Sequence, residues 1–121
     1  MNVEIVSVHN HGKAAEEFVL LKVLKDCLLG NHILTDSTYQ DDTTISNRLR
    51  HMFWFPGKSP AKAGEYAVVY TRAGKDGTRV INGNVYHEFF WDLKGPIWND
   101  TGDAAVLISI AEWAVKRTGK K

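Results

Sequence analysis

Residues 95–109 read GPIWNDTGDAAVLIS, and the way this stretch folds decides the class of the whole chain. Ile97 and Trp98 are bulky and apolar, so they end a connection that packs inward. Asn99-Asp100-Thr101-Gly102-Asp103 is a turn: Asx side chains bond nearby backbone amides, and Gly102 takes a positive φ without steric cost. Residues 104–110 are a nearly continuous run of small and branched apolar residues, which predicts a strand inside a sheet. The stretch holds no nucleophile beside a base, no metal-ligand spacing and no phosphate cradle. It speaks of architecture, not of chemistry.

Outward from it, short runs rich in Val, Ile, Phe, Tyr and Trp alternate with turn clusters, and strands are predicted at 3–8, 17–24, 27–34, 52–55, 65–71 and 86–91. In EFVLLKVL (17–24), Val19, Leu21 and Val23 share one face, with Phe18, Leu20 and Lys22 on the other. DSTYQDDTTISNRLR, from Asp36 to Arg50, is the most polar long segment and predicts an extended surface loop. AGKDGTRVINGN (73–84) carries two strong turn dipeptides, Asp76-Gly77 and Asn82-Gly83. In the tail IAEWAVKRTGKK, Ile110, Trp113, Ala114 and Arg117 would suit a helical face. The alternation of Trp113 and Val115 with Ala114 and Lys116 favours a strand instead. Short strands with turn signals about every ten residues predict an all-β sandwich, with a barrel as the alternative.

A chain of 121 residues suits one domain, placed at 3–115, followed by a basic tail at 116–121 that holds Lys116, Arg117, Lys120 and Lys121. A net charge of +1 supplies no global field towards nucleic acid or membrane. The single cysteine, Cys27, cannot form an internal disulfide, so the fold does not require an oxidising compartment. As a nucleophile it would need a neighbouring base, and a structural thiol is the preferred reading. MNVEIVSV has neither a basic n-region nor an apolar h-region, and no run approaches a membrane span. The expectation is a cytoplasmic chain, a pattern shared by a secreted one whose leader has been removed.

Several constellations invite chemistry. His9-Asn10-His11 places two imidazoles at His-x-His spacing, but a metal site needs a third ligand, and only His32, His51 and His87 remain. A surface turn is the better reading. Asp41-Asp42, beside Gln40 and Thr43, offers oxygen ligands without a calcium-loop spacing. A metal-dependent hydrolase would have to be built from these two groups. Arg48, Arg50, His51 and Lys58 flank Phe53, Trp54 and Phe55, a mixture that binds single strands by stacking, although aromatics in a strand are expected in the core. Asn99-Asp100-Thr101 is formally a glycosylation sequon, already explained by its turn. Glu16-Glu17 and Glu88 read as surface charge. Of the four tryptophans, Trp91 and Trp98 are expected in the core, with Trp54 or Trp113 exposed as an anchor for a partner.

The order of these motifs resembles the lamin tail domain family. The likeness lies in EEFVLLKVL, in FWFPGKSPAKAGEYAVVY with its Phe55-Pro56 and Gly64-Glu65-Tyr66, and in FFWDLKGPIWNDTGDAAVLI, and it spans about residues 3–110. In LLGNHILTD (28–36), Leu34 and Asp36 match, while His32 stands where that family has a tryptophan. The tail after Ile110 lacks the family's glycine-containing hairpin turn. The resemblance implies an immunoglobulin-like β-sandwich of about seven to nine strands. It also implies a binding or organising role with no shared catalytic residues, and a fold of this kind does not fix a site. The resulting expectation is a non-catalytic module that binds a protein partner or itself, without cofactor or metal, through an edge strand or the 36–50 loop. The alternative is a nucleic-acid-binding accessory domain that uses the basic tail and the segment from Arg48 to Lys58.

Overall fold

The computed structural model describes residues 1–38, 45, 48–98 and 103–119. Ten strands run in chain order: β1 (Val3–His9), β2 (Phe18–Val23), β3 (Cys27–Leu28), β4 (His32–Thr38), β5 (Met52–Trp54), β6 (Pro60–Ala61), β7 (Tyr66–Tyr70), β8 (Gly77–Ile81), β9 (Asn84–Phe90) and β10 (Asp103–Ser109). They form a five-stranded sheet in the order β1-β2-β7-β9-β8, a three-stranded sheet β10-β4-β5 and a small β3-β6 pair. All described pairings are antiparallel except β7 with β9. The expected all-β sandwich is the observed architecture.

The core lies between the two larger sheets because each presents one alternating face to the other. Val19, Leu21 and Val23 of β2 are fully buried, joined by Val3 of β1, Ala67 and Val69 of β7 and Phe89 of β9. Leu34 of β4 and the loop residues Leu29, Phe55, Ile97 and Trp98 close the core from the other side. Phe18, Leu20 and Lys22 point the other way, in line with the period of two. A β-bulge in β1 between Ile5 and Ser7 turns Val6 outward, about half exposed.

Several expectations are corrected. The run at 27–34 is not one strand: a 3-10 turn, Leu29–Asn31, separates β3 from β4, and β4 then continues to Thr38. Asp36, assigned to a surface loop, is therefore a buried residue of β4. Its Oδ1 accepts the His51 N–H at 2.7 Å, and the His51 ring lies 3.2 Å away. Residues 77–81 were not expected as a strand, because GTRVI holds few core-type residues. They form β8, exposed throughout, at the sheet edge and paired to β9 through the Asn82-Gly83 turn. That turn has φ of 51° and 81°, the left-handed pair that a two-residue hairpin demands.

β10 is not central. It pairs with β4 alone among the described strands. Finally, residues 110–115 form neither strand nor helix: they continue as an irregular segment, exposed from residue 111 onward. The count rises to ten strands rather than about seven to nine because β8 and the two-residue β3 and β6 join.

Candidate interaction site

Trp54 ends β5, where the period of two sends Phe53 inward and leaves Met52 and Trp54 outward. Phe53 packs edge-on against Phe55 and Phe89 and close to Trp91, so most of this aromatic run serves the core as expected. Trp54 does not: it is 46% exposed. Its indole N–H donates to the Gly30 carbonyl at 2.8 Å, which fixes the ring against the 3-10 turn. After β10 the Ile110 N–H donates to the Asn31 carbonyl, and the chain brings Trp113 edge-on to Trp54 at 5.1 Å and 89°. Trp113 is 54% exposed.

These two rings wall a hollow of about 500 Å³ whose floor includes Leu28, Gly30 and the loop from Phe55 to Lys58. Hydrogen bonds and a close backbone approach hold the floor. The Leu29 N–H donates to the Ser59 carbonyl and the Gly30 N–H to the Lys58 carbonyl, so the loop is latched to the 3-10 turn. The Ser59 hydroxyl donates back to the Pro56 carbonyl at 2.6 Å. Gly30 is required by the approach itself, because a Cβ there would lie 2.0 Å from the Gly57 oxygen. A ligand would meet a preformed, mostly apolar surface with two tryptophans at its rim, the residue type that dominates binding hot spots.

A second hollow, of about 570 Å³, has Cys27, Glu65 and His87 among its lining residues. This grouping resembles nucleophile, base and orienter more than any other in the described residues. Two of its groups are shifted by their surroundings. Burial, followed by the neighbouring Asp26 carboxylate, raises the Cys27 thiol above its ordinary value of 9.0. His87 is already committed, with Nε2 donating to Glu65 Oε1 at 2.8 Å. That bond, aided by the Lys62 backbone N–H, holds the Glu65 carboxyl below its ordinary value.

The outer face of the five-stranded sheet carries a ladder of rings that sequence reading missed. His9 stacks on Phe18, Phe18 tilts against Tyr70, and Tyr70 stacks on Phe90 at 4.8 Å, with the Arg72 guanidinium over both of the last two. The signal lay in the register, which sets Phe18 opposite Tyr70 and Tyr70 opposite Phe90. Their faces are occupied by one another, so the ladder stiffens the sheet more than it offers stacking surfaces. Glu88 sits beside it, accepting from the Tyr70 hydroxyl and the Arg79 guanidinium, each at 3.0 Å.

Other sequence candidates are dispersed. His9 bonds with Ser7, and His11 is exposed at the turn. Among the described residues no three His, Cys, Asp or Glu side chains group to hold a metal ion. His32 is buried, its Nδ1 donating between the Leu28 and Leu29 carbonyls, and so takes the core position for which the resemblance implies tryptophan. Glu17 is the largest departure: expected as surface charge, it is fully buried. Arg48, Arg50 and Lys58 are exposed, as are Lys116 and Arg117. Asp41-Asp42, the sequon Asn99-Asp100-Thr101, and Lys120 and Lys121 lie outside the described residues, as does most of the 36–50 loop.

Among the described residues no helix is long and apolar enough to cross a membrane. Compared with known proteins, the chain matches no family model, no curated protein and no solved structure.

Proposed function

We propose that this chain is a non-catalytic interaction module that engages a protein partner, or a second copy of itself, through the Trp54–Trp113 hollow. The observation that carries this reading is the pair of half-exposed tryptophans on a latched, apolar floor. Exposed indoles in an ordered setting cost solvation, and a partner that covers them recovers that cost. The resemblance to lamin tail domains, as binding and organising modules, supports the same reading. So does the raised Cys27 thiol, since a raised value lowers the share of reactive thiolate. A lone thiol also suits a reducing compartment such as the cytoplasm.

The test compares the wild type with the Trp54→Ala, Trp113→Ala double variant, by mass across a concentration series and by capture of a purified partner. Loss of association with an unchanged circular dichroism spectrum is expected. Undiminished association in the folded variant would overturn the proposal. A second reading, single-stranded nucleic acid, is favoured by Lys58 on the hollow and by Lys116 and Arg117 just beyond Trp113. It requires binding that weakens steeply with salt and is lost when residues 116–121 are removed.

A further inference from the structure

We infer that the free edge of β8 is a second association surface, which takes β8 of a second copy in an antiparallel, two-fold pairing centred on Val80. No residue of β8 lines the Trp54–Trp113 hollow, so this surface stands independently of that reading.

The backbone decides what such an edge takes. Asn82-Gly83 closes a two-residue hairpin, so the flanking Ile81 and Asn84 exchange both of their backbone bonds. The same holds at every second position, for Arg79 with Tyr86 and Gly77 with Glu88. Thr78 and Val80 therefore turn their N–H and C=O groups away from β9, to the open side of the sheet. Among the described residues no turn or loop bonds to these four groups. Donors and acceptors repeated at i and i+2 are met by another extended strand. The other edges of the two larger sheets are less open. β1 carries its bulge, β10 lies against β1, and β5 is three residues long. β8 has five exposed residues with no bulge and no proline.

Side chains choose the register. Val80 is 66% exposed and Ile81 42%, on opposite faces of the strand. Val80, opposite Val85, continues the core-facing side of the five-stranded sheet beyond the reach of the three-stranded one. A two-fold pairing centred on Arg79 would set that guanidinium directly opposite its copy, and like charges so placed repel. One centred on Thr78 would set Val80 against Asp76, whose Oδ1 already accepts the Phe90 N–H at 2.9 Å. Centring on Val80 brings it against Val80 of the second copy, with two backbone bonds between them. Ile81 then lies across from the aliphatic stem of Arg79, which keeps its own Glu88 at 3.0 Å. This register alone covers both exposed apolar side chains and opposes no like charges. One strand per copy is a small interface, so the dimer is a concentration-dependent one.

The experiment measures solution mass over a concentration series, with amide hydrogen exchange followed at each concentration. The wild type should pass from monomer to dimer. The Val80 N–H, open in the monomer, should become protected as it does so, while the Arg79 N–H, bonded to Tyr86, should be protected throughout. Val80→Lys sets two ammonium groups face to face and should weaken the dimer at least about tenfold, whereas Val80→Ile should preserve it. The Trp54→Ala, Trp113→Ala variant should dimerise as the wild type does, so association through the hollow is read in the Val80→Lys background. A monomer at every concentration overturns the inference. So does a dimer that Val80→Lys leaves intact, or Val80 exchange that ignores concentration. Should the dimer survive Val80→Lys and vanish in the tryptophan variant, the hollow is the self-association surface and the edge is not. Should Val80→Lys abolish the dimer while the tryptophan variant still captures the partner undiminished, the edge stands and the reading of the hollow falls.

Discussion

Glu17 and the Trp54–Trp113 pair invert the usual distribution in opposite senses. A carboxylate that belongs in water is wholly enclosed, and two indoles that belong in the core stand half in solvent. The difference is one of partners. Glu17 Oε2 accepts from the Thr71 hydroxyl at 2.5 Å and the Ile97 N–H at 2.9 Å, with the Trp98 N–H at 3.4 Å, and Oε1 accepts the Gly12 N–H at 3.1 Å. One side chain thereby ties the turn after β1 to the end of β7 and to the connection before β10. The tryptophans lack such enclosure and use their order to shape a surface. Buried polarity here serves the fold, while the exposed indoles shape a surface that the fold itself does not cover.

The largest effect should come from breaking the first half of that contrast. Glu17→Gln keeps the volume but turns one acceptor into a donor that faces other donors. It strands buried N–H and O–H groups, each costing about 1–3 kcal/mol. A loss of about 3–5 kcal/mol in urea unfolding is expected, in the range for disrupting a buried charged network. A loss below about 1 kcal/mol would mean that water already reaches this hub.

Glu17 also marks where sequence reading stopped. The β-sandwich was legible because Val19, Leu21 and Val23 keep a period of two, and because Asn82-Gly83 names its own turn. For the aromatic run the expectation of core held for Phe53 and Phe55 but not for Trp54, which the alternation of β5 turns outward. Nothing in EE at 16–17 shows that one carboxylate will meet backbone amides of residues 97 and 98, since that contact exists only once distant loops converge. β4 was misjudged for a related reason: Asp36 reads as loop polarity until His51 supplies its donor. The hollow was unreadable too, because its floor depends on Gly30 and Gly57 touching across the β3-β6 pair.

That floor gives the next prediction. Gly30→Ala places a methyl where the Gly57 carbonyl sits, so the loop must shift. A destabilisation of about 1–3 kcal/mol is expected, the scale of overpacking, together with a changed Trp54 environment in near-ultraviolet circular dichroism. An unperturbed spectrum would show that the floor is softer than its hydrogen bonds imply. Trp113→Ala should separate the two halves of the contrast. Stability should fall by less than about 0.5 kcal/mol, as for an exposed side chain, while association through the hollow weakens at least about tenfold, as for a hot-spot residue. If stability fell and binding held, the indole would belong to the fold.

The smallest effect grades a carboxylate intermediate between these extremes. Glu65 is partly buried, bonded to His87 Nε2 at 2.8 Å and to the Lys62 N–H at 2.9 Å. Those bonds hold its carboxyl below the ordinary value of 4.5. A lowered folded-state value means stability that is present above pH 4.5 and lost as pH falls through the folded value. Glu65→Gln keeps an acceptor for both donors and removes only the charge. At pH 7 the variant should be less stable by about 1 kcal/mol, since the pair is only partly buried and solvent still screens it. The gap should close as the pH is taken from 5 towards 2, because protonation then removes the charge from the wild type too. A gap unchanged over that range would show that the difference comes from packing, and Glu65 would share the structural role of Glu17 without its burial.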